Sequence, residues 1–418
     1  MLNSKGLREL AYVVRIDEIK PIEGSDNCEA AYVGGWHVMT RKNTFKAGDL
    51  AVYFEIDSHV DTSKPEFAFL ERKHGNIKTQ KYTFGGKGNF ISQGLLMPFS
   101  DFEVNGAIPT WLATINLQIA SGTFDLNSDA RFLTEALGVT YAVPEDNKRK
   151  SNGPDKYKSM GARHPKLFKT RPIRWLMRHN WGRKLLYVFF GRKKTRNDWP
   201  QWVKKTDEER IQNCPWVLND TDKEWIATEK IDGSSTTFTY RKDRFKKPVF
   251  LVCSRNVAFT KPGKKCYYDT NIYTEMAEKY HMEEVMKDMF ECRKRADRGL
   301  IFVTIQAETY GAGVQRRDYS REDHDMAIFN VIWGYKDGTV IRWNPEEAKT
   351  WVGCWDLPYV PVLGKMALPN DCDEVLALAG AEPSQLDGQM REGLVFRSLD
   401  GVDSFKAVSN EYLLKYHG

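Results

Sequence analysis

The chain has 418 residues, 41% apolar and 12% aromatic, which supports two domains or a long single one, with proper cores, and excludes wholesale disorder. Its seven cysteines form no CxxC pair, so neither a disulfide framework nor a zinc site is expected, and no run approaches the roughly 18 apolar residues of a membrane span. Net charge is +6, yet residues 148–205 hold 19 Lys and Arg against two acids, Asp155 and Asp198; a basic block on an otherwise acidic chain points to a polyanionic partner.

At the N-terminus, MLNSKGLREL lacks the apolar core of a signal peptide, so a cytoplasmic protein is expected. Residues 1–147 open with three short strand patterns, Ala11–Ile16, Trp36–Met39 and Leu50–Ile56, separated by the turn signals Gly24–Asn27 and Lys46–Asp49. This spacing predicts a small five-stranded β-barrel of the OB type, a fold that often binds oligonucleotides, although a β-sandwich with no ligand would give the same pattern. Ala130–Leu137 reads as helical. The basic block 148–205 is interrupted by Trp175–Met177 and Leu185–Phe190, which we expect to anchor it while its cations meet phosphate. A solvated linker would have the same composition.

Residues 206–418 change character. Strands are predicted at Trp225–Lys230, Thr236–Tyr240, Val249–Cys253, Gly299–Gln306, Met326–Ile332 and Gly393–Phe396. One helix is predicted over Thr274–Arg295, with Met276, Tyr280, Met286 and Phe290 facing the core. Strands and helices without βαβ regularity imply an α+β domain with mainly antiparallel sheets.

The central chemical element is Lys230-Ile-Asp-Gly233, between two strands. A lysine amine is nucleophilic only when neutral, so its pKa must fall from about 10.4, and nearby cations, burial and a divalent ion lower it. Gly233 is expected to permit a tight turn that projects the lysine into a pocket. Alone, this tetrad is a weak signal. It is followed in order by Ser254-Arg255-Asn256, by Gln306-Ala-Glu308-Thr-Tyr-Gly311, by Met326-Ala-Ile-Phe329, by Arg391-Glu392-Gly-Leu-Val-Phe-Arg397 and by Ser404-Phe-Lys406. Each has an ordinary structural reading as a salt bridge, a turn cap, core or a solvated surface group.

Together, EKIDG, SRN, AETYG, AIF, EGLVFR and SFK resemble the covalent nucleotidyltransferase superfamily of ATP-dependent ligases and capping enzymes, over about residues 206–418. TEKIDGSS, REGLVFRS, SFKAVSNEYLLK and the upstream Asp207–Asn213 look like an RNA ligase group with an N-terminal OB domain. DNA ligases and capping enzymes carry their OB domain after the nucleotidyltransferase domain, and little sequence follows Lys406. The resemblance implies an OB-like barrel followed by an α+β nucleotidyltransferase domain of the ATP-grasp-like ligase kind, joining RNA 3′-OH and 5′-phosphate ends through lysyl-AMP. It implies that Lys230 attacks the α-phosphate of ATP and that Glu229 and its strand hold the adenine edge by backbone contact. Phe329 would stack on the base, Arg255 and Glu308 address the ribose, and Lys406 and, more weakly, Arg397 contact phosphate. Asp232 and Glu392 would position a hydrated Mg²⁺, for which Mn²⁺ substitutes.

The expected partner is RNA at a duplex nick or break, possibly on a DNA template strand, bound by a monomer with steep salt dependence. Three departures stand out: Ala307 where glycine is expected, Asn330 where aspartate often follows the phenylalanine, and a single lysine in the last motif where many relatives show a second two residues away. Two rivals remain at this point: a nucleic-acid-binding protein with a decayed pocket, and a capping-type transferase using GTP.

Overall fold

The computed structural model describes the chain except residues 5, 85–88, 105, 142–169, 180, 184, 187–198, 205–206, 244–246, 256, 260–270 and 418. Two compact units result, one of residues 1–141 with 198–418 and a second of 142–197. Within the second, Arg171–Arg178 is a helix; most of the basic block lies outside the described residues. Among the described residues no helix is long and apolar enough to cross a membrane.

The N-terminal part of the first unit is built around one buried strand, Leu50–Phe54, paired antiparallel with Ala11–Arg15 on one side and Leu95–Met97 on the other. Because side chains alternate along a strand, Val52, Phe54 and Val13 pack into one core while Ala51, Tyr53, Tyr12 and Val14 pack into another. A meander of Glu18–Pro21, Cys28–Val33 and Trp36–Arg41 covers the second core. The hairpin Thr79–Thr83 with Asn89–Gln93 and the helix Thr110–Ala120 complete this half, and neither was expected from the sequence. Ala130–Leu137 divides into a 3₁₀ turn, Asp129–Arg131, and one helical turn, Thr134–Leu137, closed by Gly138 at φ +69°.

The C-terminal half holds two sheets. The first has five strands in the order Glu209–Arg210, Ser404–Val408, Gly393–Ser398, Trp225–Lys230 and Val362–Met366; only the Glu209–Arg210 pairing is parallel. The second is antiparallel with six: Ala258–Phe259, Val249–Cys253, Ser234–Arg241, Leu300–Gly311, His324–Tyr335 and Val340–Arg342. Lys230 ends a strand of the first sheet and Ser234 begins one of the second, so the Ile231-Asp232-Gly233 link carries the chain across the gap between them.

Alternation explains what each sheet does with its two faces. In the first, Trp225, Ala227, Leu394, Phe396, Phe405 and Ala407 pack with Val375 and Leu376 of the helix Cys372–Ala381, and their neighbours in sequence turn the other way. In the second, Ile305, Ala307 and Ile328 pack with Met276, Met286 and Phe290. The helix predicted over Thr274–Arg295 is two, Ile272–Lys279 and Met282–Ala296, broken at His281 with φ +48°.

Candidate active site

The faces left over by that alternation line a cavity of about 320 Å³ between the two sheets. Thr228, Lys230, Val395, Arg397 and Lys406 come from the first sheet, Ser234, Ser235, Glu308 and Phe329 from the second. The size suits a mononucleotide. One end is apolar, with half-buried Phe329 beside Val360 and Val395; the other is charged.

At the charged end, Lys230 Nζ donates to Glu392, with both carboxylate oxygens at 2.8 Å. The register that pairs Lys230 with Gly393 puts Glu392 there. Gly393 has no room for a side chain, since a Cβ would meet the Ala407 carbonyl oxygen at 2.1 Å. Burial alone would lower the Lys230 pKa, but Glu392 and then Glu308 outweigh it and hold the amine above its ordinary value. The expectation of a lowered pKa is therefore reversed in this state: nearby acids, not cations, dominate. Burial pushes the Glu308 carboxyl up to about 8, against the pull of Lys230.

Gly233 is needed for space rather than for a left-handed turn. It is absent from the positive-φ residues, and a Cβ would lie 2.4 Å from the Thr309 carbonyl oxygen and 2.9 Å from Glu308 Cγ. The glycine thus lets the loop close onto the strand that carries Glu308.

Two other residues have partners that the sequence did not foretell. The Glu229 N–H donates to the Pro361 carbonyl at 2.9 Å, so it is not a free donor for a base, and its buried carboxylate accepts from Ser384 Oγ and, at 2.9 Å, from the Gln385 N–H. Asp232 does not line the cavity; its Oδ2 accepts from Tyr412 Oη at 2.9 Å and lies 3.5 Å from His417 Nε2. Among the described residues no three carboxylates, histidines or cysteines converge as direct metal ligands. Glu308 and Glu392 crowd one amine with both their carboxyls raised by burial first. This set fits a cation that keeps several of its waters.

The phosphate side rests on a carboxylate not assigned a role from the sequence. Asp207 accepts from Lys406 Nζ at 2.8 Å, from Arg255 at 2.7 Å and from Arg8 Nε at 3.2 Å. Burial would raise its pKa, but Lys406, Arg8 and Arg255 hold it well below the usual carboxylate range. Burial and then Arg8 bring the Lys406 amine down to about 8, against Asp207. Arg397 is buried, donates to the Phe329 carbonyl at 3.1 Å and approaches Glu208 at 3.5 Å. Lys230, Glu308, Phe329, Arg255, Arg397 and Lys406 are thus brought together; Asn256 lies outside the described residues.

Comparison with known proteins fits this geometry. A family model described as RNA ligase matches residues 223–417, and one described as an OB-fold domain matches residues 10–99. A solved RNA ligase of Naegleria gruberi with PPi is 25% identical, with 98% of this chain and 99% of that one covered and a TM-score of 0.68. Residues 223–417 form an RNA ligase domain. A variant of the Naegleria enzyme with ATP and Mn superposes at TM-score 0.68 and 25% identity over 99% of both chains. Another, with AMP and Mn, gives 0.67 and 25% over 98% of this chain and 99% of that one. No curated protein matches the chain.

For a ligase, the three departures are mild. Ala307 is fully buried in the helix-covered core, where its methyl packs. Asn330 donates to Gln306 Oε1 across the sheet at 2.8 Å, a neutral pairing in place of a carboxylate. Two residues after Lys406 stands Val408, packed into the core of the N-terminal half. Sequence reasoning also missed Arg8, a residue of the OB half that reaches the nucleotide end, and Tyr319, which accepts the Asp232 N–H at 2.6 Å from a left-handed backbone position at φ +54°. Neither belongs to a motif, and only the fold brings them in.

Proposed function

We propose that this RNA ligase uses ATP to seal RNA 3′-OH and 5′-phosphate ends at a duplex nick or break, as a monomer, with AMP carried on Lys230. The observation that supports this most directly is Lys230 projecting at the junction of two sheets into a nucleotide-sized cavity, flanked by Glu308, Glu392 and Lys406. Phe329, Val360 and Val395 offer the adenine an apolar slot. Lys406 and Arg255 exchange Asp207 for phosphate oxygens, which stabilises the charge that develops as the phosphoryl group transfers.

In the first step Lys230 Nζ forms a bond to the α-phosphorus and the bond to pyrophosphate breaks. The ammonium must first lose a proton, and Glu392, at 2.8 Å, is placed to take it. Glu308 and Glu392 would hold a hydrated divalent cation, whose charge would neutralise theirs and loosen their grip on the ammonium. AMP then passes to the 5′-phosphate of RNA, and the 3′-hydroxyl displaces it. The OB half and the cations of 148–205 hold the strand backbone.

Incubation with α-labelled ATP and a divalent metal should put label on the polypeptide, and Lys230→Ala should abolish it. Label from GTP alone would move the assignment to capping chemistry. No label from either nucleotide would leave a binding protein.

A further inference from the structure

Beside the nucleotide cavity lies a second one of about 200 Å³, lined by Gly6, Leu7, Arg8, Tyr141, Trp199, Asp207, Ser235, Thr237, Arg255 and Gln306. The two share one wall, made of Asp207, Ser235 and Arg255. Its chemistry differs from that of the first. Its lining residues include no lysine, but two guanidinium groups and two large rings. Arg8 is nearly buried, fixed by Glu55 at 3.1 Å and Asp207 at 3.2 Å. Trp199 is held in place by its indole N–H, which donates to the Val203 carbonyl at 2.7 Å. Tyr141 is about half exposed at the end of the short strand Thr140–Tyr141, paired with Ser58–His59. The Ser235 hydroxyl, on the shared wall, has no hydrogen-bond partner among the described residues.

We infer that this second cavity receives the 5′-terminal nucleotide of the RNA strand that is to be activated, its base against Trp199 and Tyr141 and its phosphate toward Arg8 and Arg255. The inference rests on the ligase reading of the first cavity and adds the site of its second substrate. Guanidinium groups bind phosphate, and aromatic rings hold a base without regard to sequence. Position supplies the rest. The second step joins a 5′-phosphate oxygen to the phosphorus carried on Lys230, breaking the P–N bond and returning the electron pair to the amine. A nucleotide bound one wall away from the adenylate presents its phosphate at Asp207, the carboxylate that Lys406, Arg255 and Arg8 already hold. An arriving phosphate takes over Arg8 and shares Arg255 on the common wall, while Lys406 stays with the adenylate phosphate. The cavity is therefore built from both halves, Arg8 and Tyr141 from the OB side and Ser235 and Arg255 from the catalytic side. This gives the OB half a direct part in activating RNA.

The test separates the steps in the full-length protein. Formation of enzyme–AMP from labelled ATP is measured without RNA, and then transfer of AMP from preformed enzyme–AMP to a 5′-phosphorylated RNA in single turnover. Trp199→Ala and, separately, Tyr141→Ala should form enzyme–AMP at the parent rate but need at least about tenfold more RNA for half-maximal transfer. Trp199→Phe should restore most of the loss. An RNA whose 5′-terminal nucleotide is abasic should be bound about as weakly by the parent as the intact RNA is by Trp199→Ala, with little further loss in the variant. Unchanged transfer in both alanine variants would overturn the assignment. Equal slowing of both steps would also overturn it and give the cavity to the triphosphate of ATP. If the parent forms no enzyme–AMP, it is the ligase reading that fails instead.

Discussion

At the scale of single residues, the site is governed by which charges face which amine. Lys230 and Lys406 line one cavity and carry opposite perturbations. Lys230 sits against Glu392 and Glu308, and its pKa rises despite burial. Lys406 is buried beside Arg8, and its pKa falls to about 8 although Asp207 opposes the change. A buried cation flanked by another gives up its proton early. The contribution of Lys406 to phosphoryl transfer is therefore present below pH 8 and is lost as pH rises through that value, while the supply of neutral Lys230 grows over the same range. Single-turnover formation of enzyme–AMP should level off or decline above about pH 8 in the parent. In Lys406→Arg, whose guanidinium stays charged, the rate should go on rising to at least pH 9, from a lower starting value because the fork geometry differs. Parallel profiles for the two proteins would mean that Lys406 does not titrate there. The sequence reading assigned the two lysines different roles but not these opposite perturbations. The partners that set them apart, Arg8 and Glu392, lie 398 and 162 positions away in the chain.

At the scale of elements, much more was legible, and for a definite reason. Side chains alternate along the strands that carry EGLVFR and SFK, so Leu394, Phe396 and Phe405 share one face and Val395, Arg397 and Lys406 the other. Val249–Cys253 appears with its predicted bounds, because a compact apolar run leaves little choice of register. What escaped were elements without that contrast. The hairpin Thr79–Thr83 with Asn89–Gln93 is mostly polar, and the break at His281 falls inside a helical pattern that is otherwise continuous. Gly233 shows the opposite case, a residue singled out for a tight turn, which needs it for space. Its backbone needs no positive φ, so alanine would meet no conformational penalty there, only the Thr309 carbonyl at 2.4 Å and Glu308 Cγ at 2.9 Å. Gly233→Ala should then push the loop off the second sheet and pull Lys230 out of line with Glu308. We expect a loss of stability of about 1–3 kcal/mol and a much larger loss in the rate of enzyme–AMP formation, at least about a hundredfold, since small misplacements of a nucleophile are costly. A variant that is destabilised but reacts at the parent rate would show that the loop tolerates the shift.

At the scale of the molecule, the N-terminal and C-terminal halves are not two beads on a string. The sequence reading set apart residues 1–147, 148–205 as a basic linker or insertion, and 206–418; residues 1–141 with 198–418 form one compact unit and 142–197 another. The joint is polar and buried. Asn213 Oδ1 accepts from Tyr12 Oη at 3.0 Å and from Trp36 Nε1 at 2.6 Å, and its Nδ2 donates to Glu55 at 2.8 Å and Glu209 at 2.7 Å. Around it, Arg210 reaches Asp57 at 3.3 Å, Gly35 donates to the Gln212 carbonyl at 2.9 Å, and Val408 and Leu413 enter the core of the N-terminal half. Gly35 allows this approach, since a Cβ there would meet Gln212 Cα at 2.7 Å. Asn213→Ala removes four hydrogen bonds at once and orphans the buried Trp36 indole, while Tyr12 keeps Glu55 and Glu55 keeps Arg8 and the N-terminal amine. An orphaned group costs about 1–3 kcal/mol, and the other lost bonds add less than their sum because neighbours relax. If the halves fold as one body, thermal unfolding of the parent is a single transition, and Asn213→Ala lowers its midpoint by several degrees without splitting it. Two transitions in the parent, with only the lower one moved by the substitution, would show halves that fold separately. In that case Arg8 could not be held rigidly against Asp207, and the salt bridges that tie the OB half to the nucleotide end would form only part of the time. Calorimetry on the parent and the variant decides between these outcomes, because it reports the number of transitions as well as their midpoints.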